Sequence, residues 1–188
     1  MINAMLVLMG IISAQNSLPI QNKSNCQVYG AFTNSRPPAK NAEEYETNEI
    51  DLELWKCNNE IKGLILQYVG QPADPPTGLL KDVVFDSISG NFSFTAKLSI
   101  GQQSSKGDTS LHWSKDLYSF HGKLNKKSVV GTITKTNYVD SRTFIDSVIV
   151  HLKFSKQMQK DYMYQSNLTE VELNKDMKDQ LDFRGPKW

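Results

Sequence analysis

The residues from Asn91 to Ile100, NFSFTAKLSI, alternate without a break. Phe92, Phe94, Ala96, Leu98 and Ile100 fall on one face; Asn91, Ser93, Thr95, Lys97 and Ser99 fall on the other. A period of two is the spacing at which successive side chains of a strand point to opposite sides. The segment therefore predicts a half-buried antiparallel strand with an apolar inner face. Such a strand needs partners for its backbone and a second layer over its apolar face. The preceding segment KDVVFD (81–86) is the nearest partner, joined through Ser87-Ile88-Ser89-Gly90. That connection is a turn with glycine where positive φ is required.

Similar segments recur along the chain. QVYGAF (27–32) is a first short strand. Ile50, Leu52 and Leu54 alternate with Asp51, Glu53 and Trp55, predicting a strand with one wet face. Cys57-Asn58-Asn59 is a turn, and EIKGLILQYV (60–69) is a more buried strand after it. LYSFHGKL (117–124), a turn at 125–127 and SVVGTITK (128–135) form another pair; a loop at 136–142 leads to a last strand over 143–154. The prolines of 70–78 and the polar residues of 101–109 predict loops. The fold class expected is all-β, an antiparallel barrel or sandwich of about eight strands with a C-terminal helix or tail. A parallel α/β fold would need crossover helices that the pattern lacks. Gly63, Gly122 and Gly131 fall inside strands, where glycine marks bends in a sheet that curls.

Four regions follow: a signal peptide at 1–14, an N-terminal segment and loop at 15–48, a β-barrel domain at 49–154, and a C-terminal helix or tail at 155–188. The run MLVLMGIISA (5–14) is wholly apolar or small. A membrane span needs about 20 such residues, so this run matches the apolar core of a secretory signal, with Ala14 before the cut. The residues before it, Met1 to Ala4, carry no Lys or Arg. The expected location is secreted or periplasmic, with no membrane span in the mature form. Two cysteines in an exported chain predict one disulfide, Cys26–Cys57, the alternative being two buried thiols. Closing a loop of about 30 residues stabilises by roughly 3–4 kcal/mol. In the tail, Asn167 is the expected cap of a helix from Leu168 to about Leu181, with Glu170 at its third position. Leu168, Val171, Met177 and Leu181 form its apolar stripe.

The runs SGNFSFTAKLSIG (89–101), YSFHGKL (118–124) and VVGTITK (129–135) resemble a pattern in small exported bacterial β proteins with a lipocalin- or calycin-like barrel. The resemblance spans about Glu49 to Phe154 and implies a curled meander. The Gly-x-Trp that opens lipocalins is not present, so no ligand-contacting residue carries over.

Candidate chemistry is sparse. With 21 Lys and Arg against 20 Asp and Glu, net charge is +1, which supplies no bulk field for nucleic acid. Two cysteines and three histidines (His112, His121 and His151) offer no metal spacing, and no cofactor motif occurs. No G-x-S-x-G exists, and Glu43-Glu44 lie in a proline-bearing loop. The weak ligand-binding candidates are Trp55, Tyr68, Trp113, Tyr118, Phe120 and His121, which are core residues unless some line a barrel mouth. The expected function is an exported, non-enzymatic barrel that binds a small apolar molecule or a protein partner. One alternative is an interaction or inhibitor protein using the 70–78 and 101–109 loops. Another is a secreted hydrolase, which needs His121 or His151 beside a carboxylate or hydroxyl in a cleft.

Overall fold

A computed structural model of the chain describes residues 25–34, 48–69, 75–105, 108–139, 142–163 and 167–188. The expected signal peptide 1–14 with its apolar run 5–14 and cleavage point, and the loop residues 35–47 and 70–74, lie outside the described residues.

The strands are β1 (Asn25–Thr33), β2 (Asn48–Cys57), β3 (Glu60–Val69), β4 (Thr77–Leu79), β5 (Lys81–Phe85), β6 (Asn91–Leu98), β7 (Gln102–Ser105), β8 (Asp108–Trp113), β9 (Asp116–Leu124), β10 (Ser128–Val139) and β11 (Arg142–Phe154). Helix α1 (Lys156–Tyr162), the two-residue strand β12 (Leu168–Thr169) and helix α2 (Glu170–Arg184) follow. The main sheet runs β4-β3-β2-β1-β11-β10-β9-β6-β5, with β12 added to β1. The order is an antiparallel meander. Its two end strands, β4 and β5, are neighbours in the chain, joined by Leu80. The sheet therefore curls round on itself into a nearly closed barrel, one of the two antiparallel architectures, barrel or sandwich, that the regular strand spacing predicts.

The join is one bent strand serving both edges. Its first half pairs with β3, and the Leu80 amide extends that pairing to the Gly63 carbonyl at 3.0 Å. Its second half pairs with β6, after a register shift between Lys81 and Val84 where Asp82 has φ 50°. A bulge at this point turns the strand from one partner to the other. Gly78 lies at the corner: a Cβ there would sit 2.7 Å from the Lys97 carbonyl oxygen of β6.

The inner face of β6 is the one its alternation predicted, with Phe92, Phe94, Ala96 and Leu98 all buried. They join Phe32, Leu52, Leu54, Phe120, Ile133 and Leu152 in one continuous core. Phe94 and Phe120 stack at 5.3 Å between ring centroids, and Phe92 lies 5.7 Å from Phe120. The aromatic rings occupy the barrel interior.

Several expectations need correction. The barrel takes in Asn25–Thr33, which sequence reading had placed ahead of the domain. The 101–109 segment is not simply a loop; β7 and β8 form a separate two-stranded hairpin through it. Strand β10 runs on to Val139, so most of the 136–142 segment is strand. Helix α2 is capped by Thr169, not Asn167, with Glu172 in the reciprocal position. Asn167 has φ 79° and precedes β12, whose pairing with Asn25 and Cys26 fixes where the helix begins. The stripe moves with the cap. Leu173 and Met177 are buried, whereas Val171 is 78% exposed.

Candidate functional site

Two concave regions are formed by described residues of the barrel and its helices. One is a mouth at the end where β6 and β9 leave for the β7–β8 hairpin. Here Asp116, wholly buried, accepts from Asn137 Nδ2 at 2.7 Å and Ser114 Oγ at 2.5 Å. Lys135 Nζ lies 3.4 Å from the same carboxylate. The hollow over this cluster holds about 190 Å³ and is lined by Ile50, Gln67, Tyr118, Ile133 and Lys135 among others. Burial raises the Tyr118 phenol above its usual range, with the Asp116 charge adding to the effect. The volume is smaller than the roughly 300–1,000 Å³ that small-molecule sites occupy.

The second region lies on the outside of the wall. α1 and α2 cover the outer faces of β1, β2 and β3 through Met158, Met163, Leu173 and Met177, forming a second apolar cluster with Ala31, Trp55, Leu64 and Leu66. Cys26 and Cys57 are directly opposite in the β1–β2 register, at disulfide distance, within this layer. Beside it a cleft of about 450 Å³ opens between α2 and the strands. Ile61, Leu79, Leu80, Met177 and Leu181 give it apolar walls. Lys62, Lys81 and Lys178 stand around it. Lys62 is ion-paired with Glu170 at the start of α2, and Lys81 and Lys178 are exposed.

The same layer buries two carboxylates. Asp51 and Glu53, predicted to be wet, are only 6% and 4% exposed. The expectation of a solvent-facing side for β2 is overturned: Trp55 joins the apolar cluster of α2's Leu173 and Met177, and Asp176 and Arg184 of α2 act on Glu53. Burial is the main reason that Asp51 is raised to about 6; Thr33 and Tyr68 hydrogen bonds work against it, and Glu49 adds to it. Glu53 is raised to about 7 by burial first, then by Asp51 and Asp176, with Arg184 opposing. Asp51 Oδ1 and Trp55 Nε1 are buried with no hydrogen-bond partner among the described residues.

The sequence candidates scatter. Trp55 and Tyr68 belong to the layer under α1 and α2. Tyr118 and Phe120 are inside the barrel, Tyr118 lining the mouth. Trp113, 46% exposed, is on the β7–β8 hairpin. His121 and His151 are exposed on the open wall, opposite Thr132 and Val130 of β10. The structure thus gathers no single site from the six. It makes a cleft in which Leu79 and Leu80, not among the sequence candidates, face Met177 and Leu181 of the helix stripe, because its walls come from segments distant in sequence. Among the described residues, no group of three or more His, Cys, Asp or Glu is placed to hold a metal. No described helix is long and apolar enough to cross a membrane. No protein-family model matches the chain, no curated protein matches it, and no solved structure matches it.

Proposed function

We propose that the chain is an exported, non-catalytic barrel that holds a small amphiphile in the cleft between α2 and the barrel wall. The observation that carries this reading is a roughly 450 Å³ apolar cleft with two exposed lysines beside it. Its size lies in the range of small-ligand sites, whereas the interior is occupied by its own phenylalanines. Ile61, Leu79, Leu80, Met177 and Leu181 suit an alkyl chain; Lys81 and Lys178 suit an anionic head. Export is supported by the apolar run at 5–14 together with the cysteine pair. A hydrolase reading has less support, since His121 and His151 both face solvent.

Titration calorimetry with decanoate and decanol tests the reading. Saturable binding of both is expected. Lys81→Glu with Lys178→Glu is expected to weaken decanoate about tenfold or more and leave decanol nearly unchanged. Leu181→Trp, which fills the cleft, is expected to weaken both. Absence of saturable binding to the folded protein, or binding indifferent to all three substitutions, rules the cleft out.

A further inference from the structure

We propose that α2 is a pH-released clamp: ionisation of the buried β2 pair Asp51 and Glu53, of which Glu53 lies beside α2, undocks the helix from the barrel wall and opens the cleft. The release of a ligand from that cleft rests on the binding reading above; the undocking of the helix does not.

The argument begins with register. Asp51 and Glu53 are two residues apart on β2, so both side chains leave the same face, about 7 Å apart along the strand. Glu53 is flanked by Ala31 on β1 and Leu64 on β3, and neither side chain can donate a hydrogen bond. Asp51 is flanked by Thr33 and Leu66, and one of its oxygens has no partner among the described residues. Trp55, next along this face, leaves its Nε1–H equally unmatched. The two carboxylates are thus set in an otherwise apolar layer, in which Ala31, Trp55, Leu64 and Leu66 pack with Leu173 and Met177 of α2.

The charged and titratable groups acting on the pair come from three elements. β2 adds Glu49, which disfavours ionisation of Asp51. β3 adds the Tyr68 hydroxyl, which favours it. α2 brings Asp176, which opposes ionisation of Glu53, and Arg184, which favours it. β1 contributes the uncharged Thr33, and α1 contributes Met158 and Met163 to the layer. One arginine thus stands against four carboxylates. A second negative charge in this layer therefore meets mostly like charges and apolar surface.

The sign follows from linkage. Both carboxyls are raised in the folded layer, Asp51 from 3.8 to about 6 and Glu53 from 4.5 to about 7. The docked state holds more protons than the undocked one across that interval, so docking is strongest in acid and weakens as pH rises through it. The cleft shares Met177 and Leu181 with α2, so undocking removes one of its walls.

Hydrogen exchange of the full, ligand-free chain, read by mass spectrometry between pH 5 and 8.5, tests the clamp. Protection factors in 170–184, normalised for intrinsic rates and referenced to β9 and β10, are expected to fall at least about tenfold as pH rises through about 6 to 7. Glu53→Gln and Asp51→Asn, each mimicking the protonated group, are expected to flatten the profile and keep α2 protected at pH 8. Flat or rising protection in the native chain overturns the clamp, as does an unchanged profile in both variants. A parallel titration uses decanesulfonate, whose charge is constant over this range. Binding that fails at every pH overturns the amphiphile reading and leaves the exchange result to decide the clamp. Binding of constant strength with flat exchange overturns the clamp alone.

Discussion

At the scale of the residue, the close approach of β9 and β10 depends on a pair of glycines facing each other across the two strands. Gly122 and Gly131 are register partners in β9 and β10. A Cβ on Gly131 would lie 2.3 Å from the His121 carbonyl oxygen, 2.7 Å from the Gly122 Cα and 2.7 Å from the Phe120 ring. Two of those three obstacles are backbone and cannot rotate away. Gly131→Ala is expected to lower stability by about 1–3 kcal/mol, read as a shift in the urea midpoint. Adding Phe120→Leu should not rescue it, because only the ring contact is relieved. A midpoint indistinguishable from the parent would show that the sheet can part here. The glycines were legible as interruptions of a strand pattern. Their facing one another was not, because register between two strands is set by the turn at 125–127. There the Asn125 side chain accepts from the Lys127 and Ser128 amides at 2.8 and 3.0 Å.

At the scale of the element, β6 was legible and β2 was legible only in part. The alternation of β6 gives the correct inner face because its outer face carries no helix. In β2 the same alternation gives the correct inner residues, Ile50, Leu52 and Leu54, but its polar face is covered. The covering element lies at the other end of the chain, and no local period in β2 announces it. The same tertiary pairing explains the displaced helix cap. Thr169 Oγ1 accepts from the Glu172 amide at 3.3 Å, and the Glu172 carboxylate accepts from the Thr169 amide at 2.8 Å. Thr169→Ala is expected to cost about 1 kcal/mol. Leu173→Ala, at a fully buried position, should cost about 2–5 kcal/mol. Val171→Ala, on the exposed side, should change little. A urea series over the three variants checks this order. A large effect at Val171 with a small one at Leu173 would mean the helix packs by the other face.

At the scale of the molecule, β1 joins the two halves of the barrel, and its seams are unequal. It pairs with β2 from Cys26 to Thr33, but with β11 only at Phe32 and Thr33. The other end of β1 is held by β12, at Asn25 and Cys26, and by the Cys26–Cys57 pair. Those cysteines are 31 residues apart in sequence and directly opposite in register. Their link therefore closes a long loop in the unfolded chain while fastening the part of β1 that β11 does not reach. Loop closure of that length is worth about 3–4 kcal/mol, against a typical total of about 5–15 kcal/mol for a folded domain. Reduction, or paired Cys26→Ser and Cys57→Ser substitution, is expected to lower stability by about 3–4 kcal/mol in urea unfolding at pH 6. The strands β6, β9 and β10 should keep their exchange protection at low denaturant, and 25–29 should lose theirs first. Such dependence suits an oxidising compartment, in keeping with the apolar run at 5–14. Equal midpoints for the oxidised and reduced chains would instead show that β2 and β12 hold β1 unaided, and the cysteine argument for export would fall with them.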